Sequence, residues 1–284
     1  MELGLQGRVA MIVGATRGFG RACASVFAQE GARLALVARG RSELEKVAAE
    51  ARAIRDVPVE IFPADFTIAS EPARIAASIA AHYGRIDALV NTVGVTTVSP
   101  AGALGEDALW EEAFQSVLMV AVRTCRAVVP IMQMNGGGAI VNTSALSTRH
   151  YLPTIAHYSA QKAAVAHFTK NLAIQFGKDR IRANIVLPGA IASEQVEQML
   201  DRIRGRSDLG AAESLNRGYE VARTHAGMSR QDAWEVLNAE MHHVTWSGRM
   251  GDPVEFARVA AFLCSDAASY VSGAWVNIDG GSMF

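Results

Sequence analysis

Hydrophobic residues along this chain gather in short unbroken runs, separated by longer stretches with a polar face. The runs predict strands over 9–13, 34–37, 59–62, 88–91, 139–142, 184–187 and 274–278. A strand that is apolar at nearly every position is buried on both faces, as in a parallel sheet covered by helices. Between the runs lie segments rich in Ala, Glu, Arg and Leu, at 21–30, 41–55, 72–83, 110–134 and 157–175, which read as helices. The alternation predicts an α/β fold: a doubly wound parallel sheet of about seven strands, a Rossmann fold with helices on both faces. No proline-rich or serine-rich linker interrupts it, so residues 1–284 are expected to form a single domain. The stretch 193–247 breaks the rhythm, with polar helical pieces near 194–204 and 230–243 and no strand. It reads as a lid or pocket wall over the carboxyl edge of the sheet, the alternative being a surface or oligomer-contact insertion.

Composition narrows the function more than the fold. Half the residues are hydrophobic (50%), enough for one large core, and the net charge is −1. No run of five like charges occurs, so nothing favours nucleic acid or an anionic membrane as partner. Cys23, Cys125 and Cys264 are odd in number and scattered, which fits reduced thiols and not a disulfide framework. The opening residues lack a basic leader, and the first apolar run is too short for a signal segment. A soluble, cytoplasmic protein is the expectation.

The first strand leads into Gly14-Ala15-Thr16-Arg17-Gly18-Phe19-Gly20 and then a helix. Glycines let the backbone turn sharply and approach a pyrophosphate, and a helix N-terminus offers amide donors and partial positive charge. A strand–glycine loop–helix passage is the context a dinucleotide cradle requires, so Gly14, Thr16, Arg17, Gly18, Phe19 and Gly20 are read as cofactor-binding. An NAD site places an acid about twenty residues further on, against the ribose hydroxyls. Here the second strand ends in Val37-Ala38-Arg39-Gly40-Arg41, with no acid. A guanidinium at Arg39, helped by Arg17, suits a 2′-phosphate, so NADP(H) is preferred and NAD(H) is the alternative.

Tyr158 and Lys162 stand four apart in a predicted helix, hence on one face a turn apart. A phenol ordinarily titrates near pH 10, too high for efficient proton exchange at neutrality. An ammonium about 4 Å away contributes roughly 4 kcal/mol at an effective dielectric near 20, which lowers that pKa by up to about three units. Tyr158 then protonates a ketone oxygen as hydride arrives, or deprotonates an alcohol as it leaves.

With these motifs together the chain resembles the short-chain dehydrogenase/reductase family, from about Gly7 to Gly281. The resemblance rests on Gly14, Gly18 and Gly20, on Asn91-Thr92-Val93-Gly94, on Tyr158-Ser159-Ala160-Gln161-Lys162, on Pro188-Gly189 and on Asp279-Gly280-Gly281. It implies an adenine contact at Asp65, with Phe66 beside it, and cofactor contacts from Asn91, Val93, Gly94, Pro188 and Gly189. It further implies that Lys162 bonds the nicotinamide ribose and that Ile191 and Ser193 meet the carboxamide end. It also implies a homotetramer or homodimer, with 110–134 and 157–175 as contact helices.

Two positions depart from that pattern. The serine expected thirteen residues before the tyrosine is Ala145, and the asparagine expected seven after Trp110 is Val117. Ser144 points to the other face of an extended strand and serves only if a bulge shifts the register. Ser147 has the right parity if the chain stays extended; His157 is a further substitute. The His242-His243 pair has no third ligand at metal-site spacing, so no metal is assigned. The chain therefore reads as an NADP(H)-dependent oxidoreductase for a largely apolar ketone or secondary alcohol. The alternative is a weakly active or non-catalytic cofactor-binding protein, a sensor or assembly partner.

Overall fold

The structure is a computed structural model; it describes residues 2–94, 97–149, 152–192, 247 and 249–282. Ser193 and the excursion 193–247, Ser247 apart, lie outside the described residues. The chain divides into two compact units, Met1–Pro188 with Val254–Asn277, and Gly189–Pro253 with Ile278–Phe284.

The first unit is built on strands β1 (Val9–Val13), β2 (Arg33–Ala38), β3 (Val59–Pro63), β4 (Ala88–Asn91), β5 (Gly138–Thr143), β6 (Ile181–Pro188) and β7 (Trp275–Ile278). They form a seven-stranded parallel sheet in the order β3-β2-β1-β4-β5-β6-β7. The order reverses between β1 and β4, which places a crevice at their carboxyl ends, where doubly wound sheets bind ligands. Every residue of β1 and of β4 is buried, as their apolar composition requires.

Helices α1 (Gly18–Gln29), α2 (Arg41–Ile54), α3 (Glu71–Tyr83), α4 (Asp107–Ala113), α5 (Val120–Met134), α6 (Ala156–Phe176) and α7 (Pro253–Cys264) flank the sheet. Strand parity sorts the core. Val9, Met11, Val13, Leu89 and Ile140 point to one face and pack on Ile75 and Ile79 of α3, Val128 and Met132 of α5, and Leu172 of α6. The alternate residues Ala10, Ile12, Leu34, Leu36, Val90 and Val141 are just as buried on the other face. Helix α2 shows why sequence spacing suffices: its buried residues Leu44, Val47, Ala48 and Ala51 follow the 3-4 repeat of one helical stripe. Helix α3 begins with Pro72 in its first turn and stops at Gly84, whose φ of 79° is the left-handed turn that glycine makes at little cost.

The predicted helix 110–134 differs in detail. Helix runs from Asp107 to Met134, but Phe114–Met119, between α4 and α5, is π-helical. This stretch is long and apolar enough to cross a membrane. Its apolar residues instead enter the sheet's core, with Val117, Val120, Cys125, Val128 and Met132 buried.

In the second unit, Ile191 pairs with Gly251 in a parallel bridge, reinforced by Ala192 N–H to Gly251 O at 2.9 Å. Gly189 N–H donates to Ile278 O at 2.8 Å, and Ser247 N–H to Gly280 O at 3.1 Å.

Candidate active site

The loop after β1 carries the geometry expected of a phosphate cradle. Gly14 and Gly18 have φ of 87° and 49°, which other residues rarely adopt. Gly20 is fixed by space: a Cβ there would stand 2.1 Å from the Gly14 carbonyl oxygen. The loop is tied to the sheet by Gly14 N–H to Val37 O at 2.8 Å and by the Thr92 hydroxyl to Val13 O at 2.8 Å. Helix α1 opens at Arg17 with no side-chain cap and no acid in its first turn, an arrangement that suits an anion. Arg17 and Thr16 flank that opening, Arg17 exposed, while Phe19 stacks on Phe256 with ring centroids 4.4 Å apart. This cradle, which a Cβ would fill, fits a dinucleotide.

Arg39 is exposed at the end of β2. Asp65 follows β3 and accepts from the Thr67 amide at 2.9 Å and hydroxyl at 2.7 Å. Burial pushes the Asp65 carboxyl up, but those two bonds and the Arg39 charge bring it below its ordinary value. Phe66 beside it is buried in the core.

Strand register aligns the next group. Val13 pairs with Asn91 and Asn91 with Asn142, so the two amides stand side by side on one face. Asn91 Nδ2 donates to Asn142 Oδ1 at 2.7 Å, and Asn142 Nδ2 to Thr169 Oγ1 of α6 at 2.9 Å. Thr143 Oγ1 closes the group by donating to Asn91 O at 2.7 Å. The cofactor contact expected from Asn91 therefore falls on a side chain that is 4% exposed and engaged with Asn142.

Tyr158 and Lys162 share one face of α6, as their spacing predicts. Lys162 is 2% exposed; its Nζ donates to Thr143 O at 2.8 Å and Val93 O at 3.2 Å, and lies 5.6 Å from the Tyr158 ring centroid. Gly94 makes room for it, since a Cβ there would be 2.7 Å from Nζ. The Tyr158 ring packs against Val117, Ala121 and Val165. The expected acidification of the phenol is not present in this fold: burial drives Tyr158 well above its ordinary value. The same burial brings the Lys162 ammonium down to about 7. Desolvation outweighs the pair's attraction because the ammonium faces backbone carbonyls and the ring, both uncharged.

The structure agrees with strand parity for Ser144 and departs from it for Ser147. Strand β5 runs without a bulge to Thr143, and Ser144, 1% exposed, donates its hydroxyl to Lys162 O at 2.9 Å. That bond uses its one proton, so Ser144 joins β5 to α6 and offers no donor to a substrate. Beyond Ala145, whose backbone is extended, the chain turns into a 3-10 turn, Leu146–Thr148, so the alternation assumed for Ser147 ends there. Ser147 Oγ is buried with no hydrogen-bond partner among the described residues, and so is Nε2 of His157, whose ring meets the edge of Trp110. Pro188 ends β6, and Ile191 is 3% exposed in its bridge with Gly251.

Comparison with known proteins agrees with this geometry. The family model for short chain dehydrogenase matches residues 8–203, and one described as enoyl-(acyl carrier protein) reductase matches 211–283. The chain belongs to the short-chain dehydrogenase family. Among its relatives, the D-threitol dehydrogenase of Mycolicibacterium smegmatis is 32% identical over 278 residues, covering 98% of this chain and 93% of that protein. The 3-oxoacyl-[acyl-carrier-protein] reductase of Thermotoga maritima is 29% identical, covering 98% of each. The L-sorbose reductase of Gluconobacter frateurii, solved with NADPH and L-sorbose, superposes with a TM-score of 0.83 at 28% identity, covering 99% of this chain and 98% of that one. This short-chain dehydrogenase is thus an oxidoreductase acting on a CH–OH or C=O group with a nicotinamide cofactor.

Proposed function

We propose that this short-chain dehydrogenase is an NADP(H)-dependent reductase of a small-to-medium ketone, running in reverse on the secondary alcohol. The observation that carries the reading is the one helix face holding Tyr158 and Lys162, in the same unit as a glycine cradle at the sheet's switch point. The cradle of Gly14, Gly18 and Gly20 would hold the diphosphate, and Lys162 the nicotinamide ribose. Arg39 and Arg17 would meet a 2′-phosphate; NADPH in the related L-sorbose reductase supports that preference. Bound NADP(H) supplies or takes up the hydride. Tyr158 gives its phenolic proton to the carbonyl oxygen in reduction and takes it back in oxidation. Burial that keeps the phenol protonated suits the reductive direction. Ser147, whose hydroxyl has no partner among the described residues, takes the donor role that Ala145 lacks.

The wider reading is of one domain over 1–284, with 193–247 as a substrate lid whose leucines, methionines and tryptophans favour a largely apolar substrate. A homo-oligomer, tetramer or dimer, in the cytoplasm completes it. The departures at Val117 and Ala145 motivate a non-catalytic, cofactor-binding alternative. Relatives named as dehydrogenases and reductases, and an intact Tyr158–Lys162 face, speak for turnover.

Replacing Tyr158 with Phe tests the reading. Turnover of ketones with NADPH should vanish while NADPH affinity, read from cofactor fluorescence, changes little. A fully active Tyr158→Phe enzyme defeats the assignment.

A further inference from the structure

The sheet order fixes where the two halves of a dinucleotide go. The function proposed above seats the diphosphate on the loop after β1 and the nicotinamide beside α6, which packs on β5 and β6. The adenosine half then extends the other way, over the carboxyl ends of β2 and β3. Arg39 at the end of β2 and Asp65 just past β3 stand there, near enough for the Arg39 charge to act on the Asp65 carboxyl.

The turn that carries Asp65 is held largely by its own bonds. Asp65 Oδ1 accepts from the Thr67 amide and hydroxyl, and Ile68 N–H donates to Asp65 O at 3.1 Å. Ala64 N–H ties its start to Ala38 O of β2 at 2.9 Å. Among the described residues, one side chain of another element hydrogen-bonds to this turn: Arg123 of α5, whose Nη1 donates to Thr67 O at 2.9 Å. The second arm of that guanidinium, Nη2, donates to Gln115 Oε1 at 2.9 Å.

Helix geometry explains how one fork serves both acceptors. In an unbroken α-helix, residues eight apart, as Gln115 and Arg123 are, diverge by roughly 80° around the axis. The π-helical Phe114–Met119 takes up about one extra residue, which returns Gln115 to the side of Arg123. The guanidinium is thereby braced within its own helix and aimed at Thr67. A lysine, a point charge without the planar fork, is not braced in this way.

We propose that Arg123 is a positioning residue for the cofactor, fixing the turn Asp65 to Ile68 as the seat of the adenosine end. The identity of that occupant rests on the function proposed above; the brace itself does not.

Calorimetric titration and steady-state kinetics of the full-length enzyme test it with three variants. Arg123→Met keeps the apolar stem and removes both bonds. It should raise the Kd of ADP-ribose and the KM for NADPH about tenfold, the weight of one hydrogen bond to a charged group. Reduced nicotinamide mononucleotide lacks the adenosine half, so its Kd, like kcat at saturating NADPH, should stay within about twofold of wild type. Arg123→Lys keeps a cation in reach of Thr67 O and should weaken ADP-ribose only about threefold. Gln115→Leu removes the brace alone and should fall between wild type and Arg123→Met. Wild-type affinity for ADP-ribose in Arg123→Met overturns the proposal. So does an equal loss for both ligands, which marks general damage to the fold, and so does a lysine variant no better than the methionine one. Failure of the Tyr158 assignment shows separately, in a fully active Tyr158→Phe enzyme, and leaves the ADP-ribose series unaffected. A wild type that binds neither ADP-ribose nor NADPH overturns the cofactor reading and this proposal together.

Discussion

Lys162 is the side chain on which sequence and structure instruct each other most. Its spacing from Tyr158 is plain in the sequence; its burial, its two carbonyl acceptors and its dependence on Gly94 are not, because they come from β4 and β5. Parity along a strand is a sound guide for Ser144, whose hydroxyl is taken by the Lys162 carbonyl, and fails for Ser147, since the chain leaves extended geometry just past Ala145. Asn91 was legible as a motif residue but not as part of a buried amide chain, which only the register with Asn142 creates. Ser147→Ala should lower kcat by about 10²–10³, the usual cost of one preorganised donor, with little change in cofactor affinity. Single-turnover reduction by NADPH checks this; unchanged kinetics remove Ser147 from the site. Arg39→Ala should raise the Kd of NADPH roughly ten- to a hundredfold, the weight of a charge-assisted bond, while NADH binding stays level. Fluorescence titration of both cofactors decides it.

Strands and helices were far easier to read than their contacts. Each of the seven strands is legible to within three residues at either end, and β1, β2, β4, β5 and β6 are so because runs buried on both faces carry their own signature. The π-helical Phe114–Met119 had none: its wider turn leaves no periodic mark in six residues of mixed polarity. The passage from β1 to α1 was legible because glycine is demanded there twice over, by backbone angle at Gly14 and Gly18 and by space at Gly20. Gly20→Ala drives a methyl group into the Gly14 carbonyl, so it should cost about 1–3 kcal/mol of stability and abolish NADPH binding. Urea unfolding beside a cofactor titration measures both losses. A variant that keeps its stability and its affinity contradicts the cradle as described.

For the molecule entire, the buried lysine links fold stability to pH. Burial lowers the folded-state pKa of Lys162 from 10.5 to about 7. Between those values the unfolded chain holds a proton that the folded one has released, so the lysine's contribution to stability without cofactor should rise with pH, and is read between about 7 and 9, below the range in which buried Cys23, Cys125 and Cys264 pull the other way. Denaturation of wild type and Lys162→Met at several pH values checks the sign: the slope should be smaller in the variant. The account as a whole depends on Tyr158 being the proton donor beside a dinucleotide seated on the opening turn of α1. A crystal structure of the enzyme with NADP⁺ and a ketone measures this most directly. The prediction is a diphosphate on the Gly14–Gly20 loop and Tyr158 Oη at hydrogen-bond distance from the ketone oxygen, about 2.6–3.2 Å. A dinucleotide bound elsewhere, or a phenol turned away from the nicotinamide, would contradict it.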